Sequence, residues 1–243
     1  MTASRLGPAD ELPRRRRGRT RVAGEWLSTA DAVHWPDPPE GDGRPVLLVP
    51  GFLAGDPSLS RMASWLRSGE FRTYRSGIAI NTACMEPLVE RLETRLLSVV
   101  ERTGRRAVVL GQSRGGTLGR VLAVRRPDLV EELVTLGSPI RDQMAVHRAA
   151  RLSIGAVGLL GTLRVPGCFS ITCRAGQCCA RSRAELVGPF PSSCRWLALY
   201  SRSDEVVKWE ACMDPAAEAI EVDTSHIGMG FDAGVWRILA RAM

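Results

Sequence analysis

The chain has 243 residues, 44% of them hydrophobic and 24% charged, which is enough for one α/β domain with a proper core and too few for two ordinary domains. Its net charge of +7 comes from 33 Lys+Arg against 26 Asp+Glu, and Lys208 is the single lysine, an arginine bias that reads as base composition rather than as a nucleic-acid site. No apolar run is long enough to span a membrane, which excludes an integral membrane protein of the helical kind.

Residues 1–21 form a basic tail, with Arg14, Arg15, Arg16, Arg17, Arg19 and Arg21 crowded together. Like charge in a block stays solvated, so disorder is expected there. Weak association with an anionic membrane is the one partner such a tail implies. Aromatic residues are not interleaved with the arginines, so no specific nucleic-acid recognition is expected. No apolar segment follows the arginines, which argues against a secretory or twin-arginine export signal and for a reducing, cytoplasmic compartment.

From residue 22 to 243 the pattern is that of one α/β domain. "VAGEWLSTADAVHW" has the spacing of a short amphipathic helix, and "PDPPEGDGRP" is a connector. "VLLV" stops at Pro50-Gly51 and reads as a buried parallel strand. "SLSRMASWLRSG" has Leu59, Met62, Trp65 and Leu66 on one helical side, and "FRTYRSGIAIN" reads as a second strand. "EPLVERLETRLLSVVERTG" is the clearest helix. Pro87 suits its first turn, Gly104 its end, and Leu88, Leu92, Leu96 and Val100 its buried stripe. Strand "AVVL", helix "GGTLGRVLAVRR", strands "VEELVTLGSP", "RWLALYSRSD" and "AIEVDTSH", and helix "GVWRILARAM" complete the alternation. Strands alternating with helices predict a mostly parallel sheet covered on both faces. The alternation breaks over about 143–194, an insertion expected above the carboxyl ends of the strands, where open α/β sheets bind ligands. Its "LSIGAVGLLGTL" fits a lid helix facing an acyl chain as well as a glycine-packed core helix.

Gly111-Gln112-Ser113-Arg114-Gly115 fits G-x-S-x-G between a strand and a helix. On so sharp a turn the flanking positions have no room for side chains, and the serine is forced into strained backbone angles that raise its hydroxyl clear of the sheet. A serine hydroxyl is a weak nucleophile and needs a base. Of the three histidines, His34 lies in the connector, His147 at the edge of the insertion, and His226 after the last strand in "EVDTSHIGMG". His226 is therefore the candidate base. Asp204, between Ser113 and His226 in the chain, is the favoured orienting acid. Asp142 is its rival, Asp223 is expected within a strand, and Glu205 is expected to point elsewhere. Two backbone amides complete the set as an oxyanion hole: that of Arg114 and that of Phe52 or Leu53 after the first strand. Leu53 is also a candidate substrate contact.

Together these pieces resemble the α/β-hydrolase family, in particular its lipase- and esterase-like members. "VPGF", "GQSRGG", "LVTLGSP", "YSRSDEVV" and "SHIGM" stand in family order from about Arg44 onward. The resemblance implies an α/β-hydrolase fold, Ser113 as nucleophile, His226 as general base, Asp204 as its partner, and a lid or cap at 143–194. It implies a serine hydrolase acting on a small-molecule or lipid carboxylic ester, with no cofactor and no metal. An acyltransferase using the same acyl-enzyme and a non-catalytic binding scaffold are the competing readings. Three departures stand out. Pro50-Gly51 replaces the His-Gly of many members. Arg114 replaces a common neutral residue, and its guanidinium beside the nucleophile is expected to favour an anionic substrate group. The family's first strands have no counterpart, so a minimal sheet is expected.

Seven cysteines remain. Cys168, Cys173, Cys178 and Cys179 are spaced C-x4-C-x4-C-C, a poor match to the separated C-x2–4-C pairs of zinc sites, so plain thiols are expected, with lid disulfides only in an oxidising compartment. Cys194 and Cys212 lie outside this run but within possible spatial reach of it.

Overall fold

The computed structural model describes residues 35–243. The basic tail and the expected helix of residues 22–35, apart from Trp35, lie outside them, as does His34. Six strands form one sheet: β1 (Pro45–Val49), β2 (Arg72–Arg75), β3 (Ala107–Gln112), β4 (Val130–Leu136), β5 (Arg195–Tyr200) and β6 (Glu218–Glu221). They lie in the order β2-β1-β3-β4-β5-β6, every pair parallel. Among the described residues six α-helices accompany them: α1 (Ser60–Ser68), α2 (Met85–Thr103), α3 (Arg114–Arg125), α4 (Arg148–Thr162), α5 (Ala180–Val187) and α6 (Ala233–Ala242). Among the described residues no helix is long and apolar enough to cross a membrane.

The period-2 geometry of a strand divides its side chains between two cores. Val46 and Leu48 of β1 and Val108 and Leu110 of β3 pack with Leu59, Met62, Trp65 and Leu66 and with Trp236 of α6. Leu47 and Val49, with Ala107 and Val109, face Leu88, Leu92 and Leu96 of α2 and Leu118 and Leu122 of α3. The stripe expected on α2 is present, with Val99 buried in it and Val100 at its margin. Gly104 ends the helix at φ 66°, a conformation open to glycine at little cost.

Strand β2 is shorter than its sequence pattern. After Arg75 the carboxylate of Asp56 takes hydrogen bonds from Ser76 N, Ser76 Oγ and Gly77 N, and Gly77 turns at φ 79°, so "SGIAIN" leaves the sheet as a loop.

The chain runs outward from β1 to β2, then returns past β1 to β3 and continues the other way. This reversal is the switch point at which open parallel sheets form a crevice. The turns leaving β1 and β3 flank it. The insertion between β4 and β5 holds α4, two short 3-10 turns and α5. It is tied to the core by Arg125, which pairs with Glu86 at 2.8 Å and Glu185 at 2.6 Å. Arg120, buried, donates to the Glu185 and Gly188 carbonyls and stacks on Trp196. At the opposite end of the sheet Glu132 pairs with Arg195 at 3.1 Å and Arg44 at 3.9 Å.

Candidate active site

Ser113 sits between β3 and α3 at φ 52° and ψ −126°. A non-glycine residue in this region carries backbone strain of the order of 1–3 kcal/mol. Its amide holds the position by donating to the Leu136 carbonyl of β4 at 2.7 Å. The glycines around it follow from close approach. A Cβ on Gly111 would lie 2.4 Å from Gly115 C, one on Gly115 2.1 Å from the Val49 carbonyl oxygen, and one on Gly116 2.1 Å from Ser138 Oγ. The turn thus packs against the β1 backbone on one side and against Ser138, just beyond β4, on the other.

His226 follows β6, and its Nδ1 lies 2.6 Å from Asp204 Oδ2. Both side chains are nearly sealed, 8% and 1% exposed. Strand β5 ends at Tyr200, so Asp204 stands in the loop beyond it rather than at the strand end. Its Oδ1 takes the amides of Val206 and Val207, each at 2.7 Å. The close pairing needs Gly137 just after β4: at φ 55°, a Cβ there would lie 3.1 Å from both Asp204 Oδ2 and His226 Nδ1. The other acids serve elsewhere. Glu205 accepts from the His226 backbone amide at 3.4 Å, Asp142 caps Met144 N, and Asp223 accepts from Ser203. His147 is the N-cap residue of α4.

Gln112 is a participant that sequence reasoning passed over. Its Nε2 donates to the His226 carbonyl at 3.1 Å and the Ile227 carbonyl at 3.4 Å. A buried polar residue next to the strained serine was the available signal. Gln112 therefore joins the histidine loop to the serine turn. Among the described residues no hydrogen bond links the Ser113 hydroxyl to the His226 ring, and catalytic contacts of this kind commonly tighten only with substrate bound.

The turn after β1 meets Ser113 from the other side: a Cβ on Gly51 would lie 3.3 Å from Ser113 Cβ. Among the described residues, the amides of Phe52 and Arg114 have no hydrogen-bond acceptor, whereas that of Leu53 donates to the Asn81 carbonyl at 3.4 Å. This separates the two candidates for the amide after β1. Leu53, at φ 60° and half exposed, also stands outside the wall of the cavity that opens at Ser113, so the structure does not place it as a substrate contact.

The Arg114 guanidinium does not behave as the sequence led us to expect. Nη1 donates to Asn81 O at 3.0 Å and Asn81 Oδ1 at 2.9 Å, Nη2 donates to the Ala83 carbonyl, and the group lies 5.4 Å from the Phe169 ring centre. Burial lowers its pKa to about 10. The side chain is a strut between the serine turn and the 81–83 loop, making three hydrogen bonds to that loop while also lining the cavity.

The cavity holds about 480 Å³ and is mainly apolar, lined by Ser113 and Phe52 and by Ile154, Phe169, Ile171 and Val206 among others. Helix α4 contributes Ile154 and Gly158 to this wall, while Leu152, Leu159 and Leu163 of the same segment face outward.

No protein-family model matches the sequence, and no curated protein matches it. Solved structures share its architecture. The mature form of the Bacillus licheniformis lipase BlEst2 aligns with a TM-score of 0.61 and 15% identity over 87% of this chain and 95% of that one. A Paleococcus ferrophilus monoacylglycerol lipase aligns with a TM-score of 0.56 and 15% identity over 85% and 96% of the two chains. A 2-hydroxy-6-oxo-6-phenylhexa-2,4-dienoate hydrolase from Rhodococcus sp. strain RHA1 gives 0.56 and 16% over 83% and 89%. The fold of this chain is the α/β-hydrolase fold.

Proposed function

We propose that this α/β-hydrolase fold carries a serine hydrolase that cleaves carboxylic esters through an acyl-enzyme on Ser113. The observation that chiefly supports the reading is the 2.6 Å contact between His226 Nδ1 and Asp204 Oδ2, on the edge of the sheet that presents Ser113. Asp204 fixes the tautomer with the proton on Nδ1 and leaves Nε2 as base. Nε2 takes the Ser113 proton as Oγ adds to the ester carbonyl carbon. The carbonyl oxygen becomes an anion held by the amides of Phe52 and Arg114, whose two donors are worth a few kcal/mol. The imidazolium then protonates the leaving alkoxide, the carbon–oxygen bond breaks, and water activated by the same nitrogen releases the acid.

The apolar walls favour an acyl group over a charged one. The segment 143–194 acts as a lid: α4 lines the cavity with one face only. The lipolytic names among the fold neighbours are consistent with the same class of substrate.

The test is hydrolysis of p-nitrophenyl esters from acetate to long chains, beside Ser113→Ala and with fluorophosphonate labelling. Turnover and labelling that both vanish in Ser113→Ala are expected. A folded wild type that neither turns over nor labels would overturn the reading.

A further inference from the structure

Three thiols from two distant parts of the chain converge where the insertion meets the core. Cys84 is the N-cap residue of α2, and Cys178 and Cys179 immediately precede α5. Cys84 Sγ lies 3.0 Å from Cys179 Sγ and 3.7 Å from Cys178 Sγ, and the latter two are 3.9 Å apart. All three sulfurs fall within 4.8 Å of one another. Cys168 and Cys173, the first two cysteines of the sequence run, are not in the group, and Cys84 joins it instead. Cys194 bonds the Val130 carbonyl and Cys212 packs against Val146 and Val207, so neither joins.

We propose that Cys84, Cys178 and Cys179 bind one divalent cation of the zinc class through three thiolates, with an exogenous ligand completing the tetrahedron, clamping the insertion to the N-terminus of α2.

Geometry is the first support. Tetrahedral bonds of ~2.3 Å from metal to sulfur place the sulfurs about 3.8 Å apart. The Cys84–Cys178 and Cys178–Cys179 separations are already there, and the Cys84–Cys179 pair needs to open by about 0.8 Å to reach that spacing.

Charge is the second. A divalent ion with three thiolates carries one net negative charge, and Cys84 stands at the N-terminus of the 19-residue α2, the positive end of its dipole. Nearby is the Arg114 guanidinium, whose hydrogen-bond partners are neutral carbonyl oxygens. One of them belongs to Ala83, next to Cys84, so a fixed cation stands beside the ligand-bearing turn. Arg183 donates to the Cys173 and Gly176 carbonyls and so wraps the ligand-bearing loop. A disulfide would join two of the sulfurs and leave the third against it. Three converging sulfurs, with a helix N-terminus and a cation beside them, match thiolate ligation instead.

The clamp reaches the serine turn through the loop that bears Cys84. Asn81 Nδ2 donates to the Pro50 carbonyl at 2.7 Å, and the Asn81 and Ala83 carbonyls hold Arg114.

The test uses the full chain, purified reduced and without chelator. Elemental analysis is expected to give one zinc per chain. Exchange into cobalt(II) is expected to give the sulfur-to-cobalt charge-transfer band and the intense visible bands of a tetrahedral site with three thiolates. Cys178→Ser, exposed at the surface, is expected to weaken cobalt binding at least tenfold, and Cys168→Ser to leave it unchanged. Should Cys178→Ser fail to fold, the wild-type cobalt spectrum decides alone. A reduced chain that takes up neither metal, or native protein two hydrogens lighter in mass through a Cys84–Cys179 bond, would overturn the proposal.

Discussion

Asp204 holds His226 with one carboxylate oxygen and its own loop with the other: Oδ2 lies 2.6 Å from the ring, while Oδ1 takes the amides of Val206 and Val207. The carboxylate has no rotational freedom left. Asp204→Asn keeps the shape but presents an amide to Nδ1 and disturbs the tautomer. Its kcat on an ester substrate is expected to fall by about 10⁴ with KM little changed. Parallel circular dichroism establishes that the fold persists. A loss below tenfold would remove Asp204 from the role assigned to it.

Two glycines separate steric need from mere occurrence. A Cβ on Gly115 would lie 2.1 Å from the Val49 carbonyl oxygen and 2.7 Å from that of Pro50, whereas one on Gly155 of α4 meets nothing within 4 Å. Gly115→Ala is expected to cost about 1–3 kcal/mol and most activity, because the serine turn must move off β1. Gly155→Ala is expected to raise stability by ~0.5–1 kcal/mol through helix propensity. Denaturant midpoints of the two variants read both signs.

Arg114→Gln tests whether that guanidinium meets substrate. The Asn81 and Ala83 carbonyls lose their donors, at a cost of about 1–3 kcal/mol. The ratio of kcat/KM for an anionic over a neutral ester of equal length is expected to stay the same. A drop in that ratio would restore Arg114 as a substrate receptor.

Glu132 sets a pH dependence remote from the serine. Burial raises its carboxyl to about 7, against the pull of Arg195 and Arg44. A folded pKa above the unfolded value means that the native state holds the proton more tightly. The stability this confers is full below the ordinary carboxylate range and is lost as pH rises through about 7. Glu132→Gln, which never ionises, is expected to gain on wild type from pH 5 to about 7 and to level off above it in denaturant titrations. Parallel curves for the two proteins would contradict this.

Some of this was legible in the sequence for local reasons. The β1 run and the α2 stripe show because burial repeats at the period of the element itself. The G-x-S-x-G turn shows because its glycines meet backbone a few residues away. What depended on distant partners did not show. Cys84 stands almost a hundred residues from Cys178, and no spacing rule joins them. The Gln112 contact to the His226 carbonyl and the engagement of Arg114 by Asn81 exist only once loops from different strands are side by side. Strand β2 was overestimated because Asp56, twenty residues upstream, captures its continuation.

Strand β4 carries Glu132 near its amino end, opposite Arg195, and is followed at its carboxyl end by Gly137, against Asp204 and His226. Five residues of extended chain, about 16 Å, separate them. Changes that far apart combine almost additively, to within ~0.5 kcal/mol. Heat tolerance can therefore be raised by recharging one rim of the sheet while specificity is altered at the other. A library built on both rims at once loses few members to interference between them.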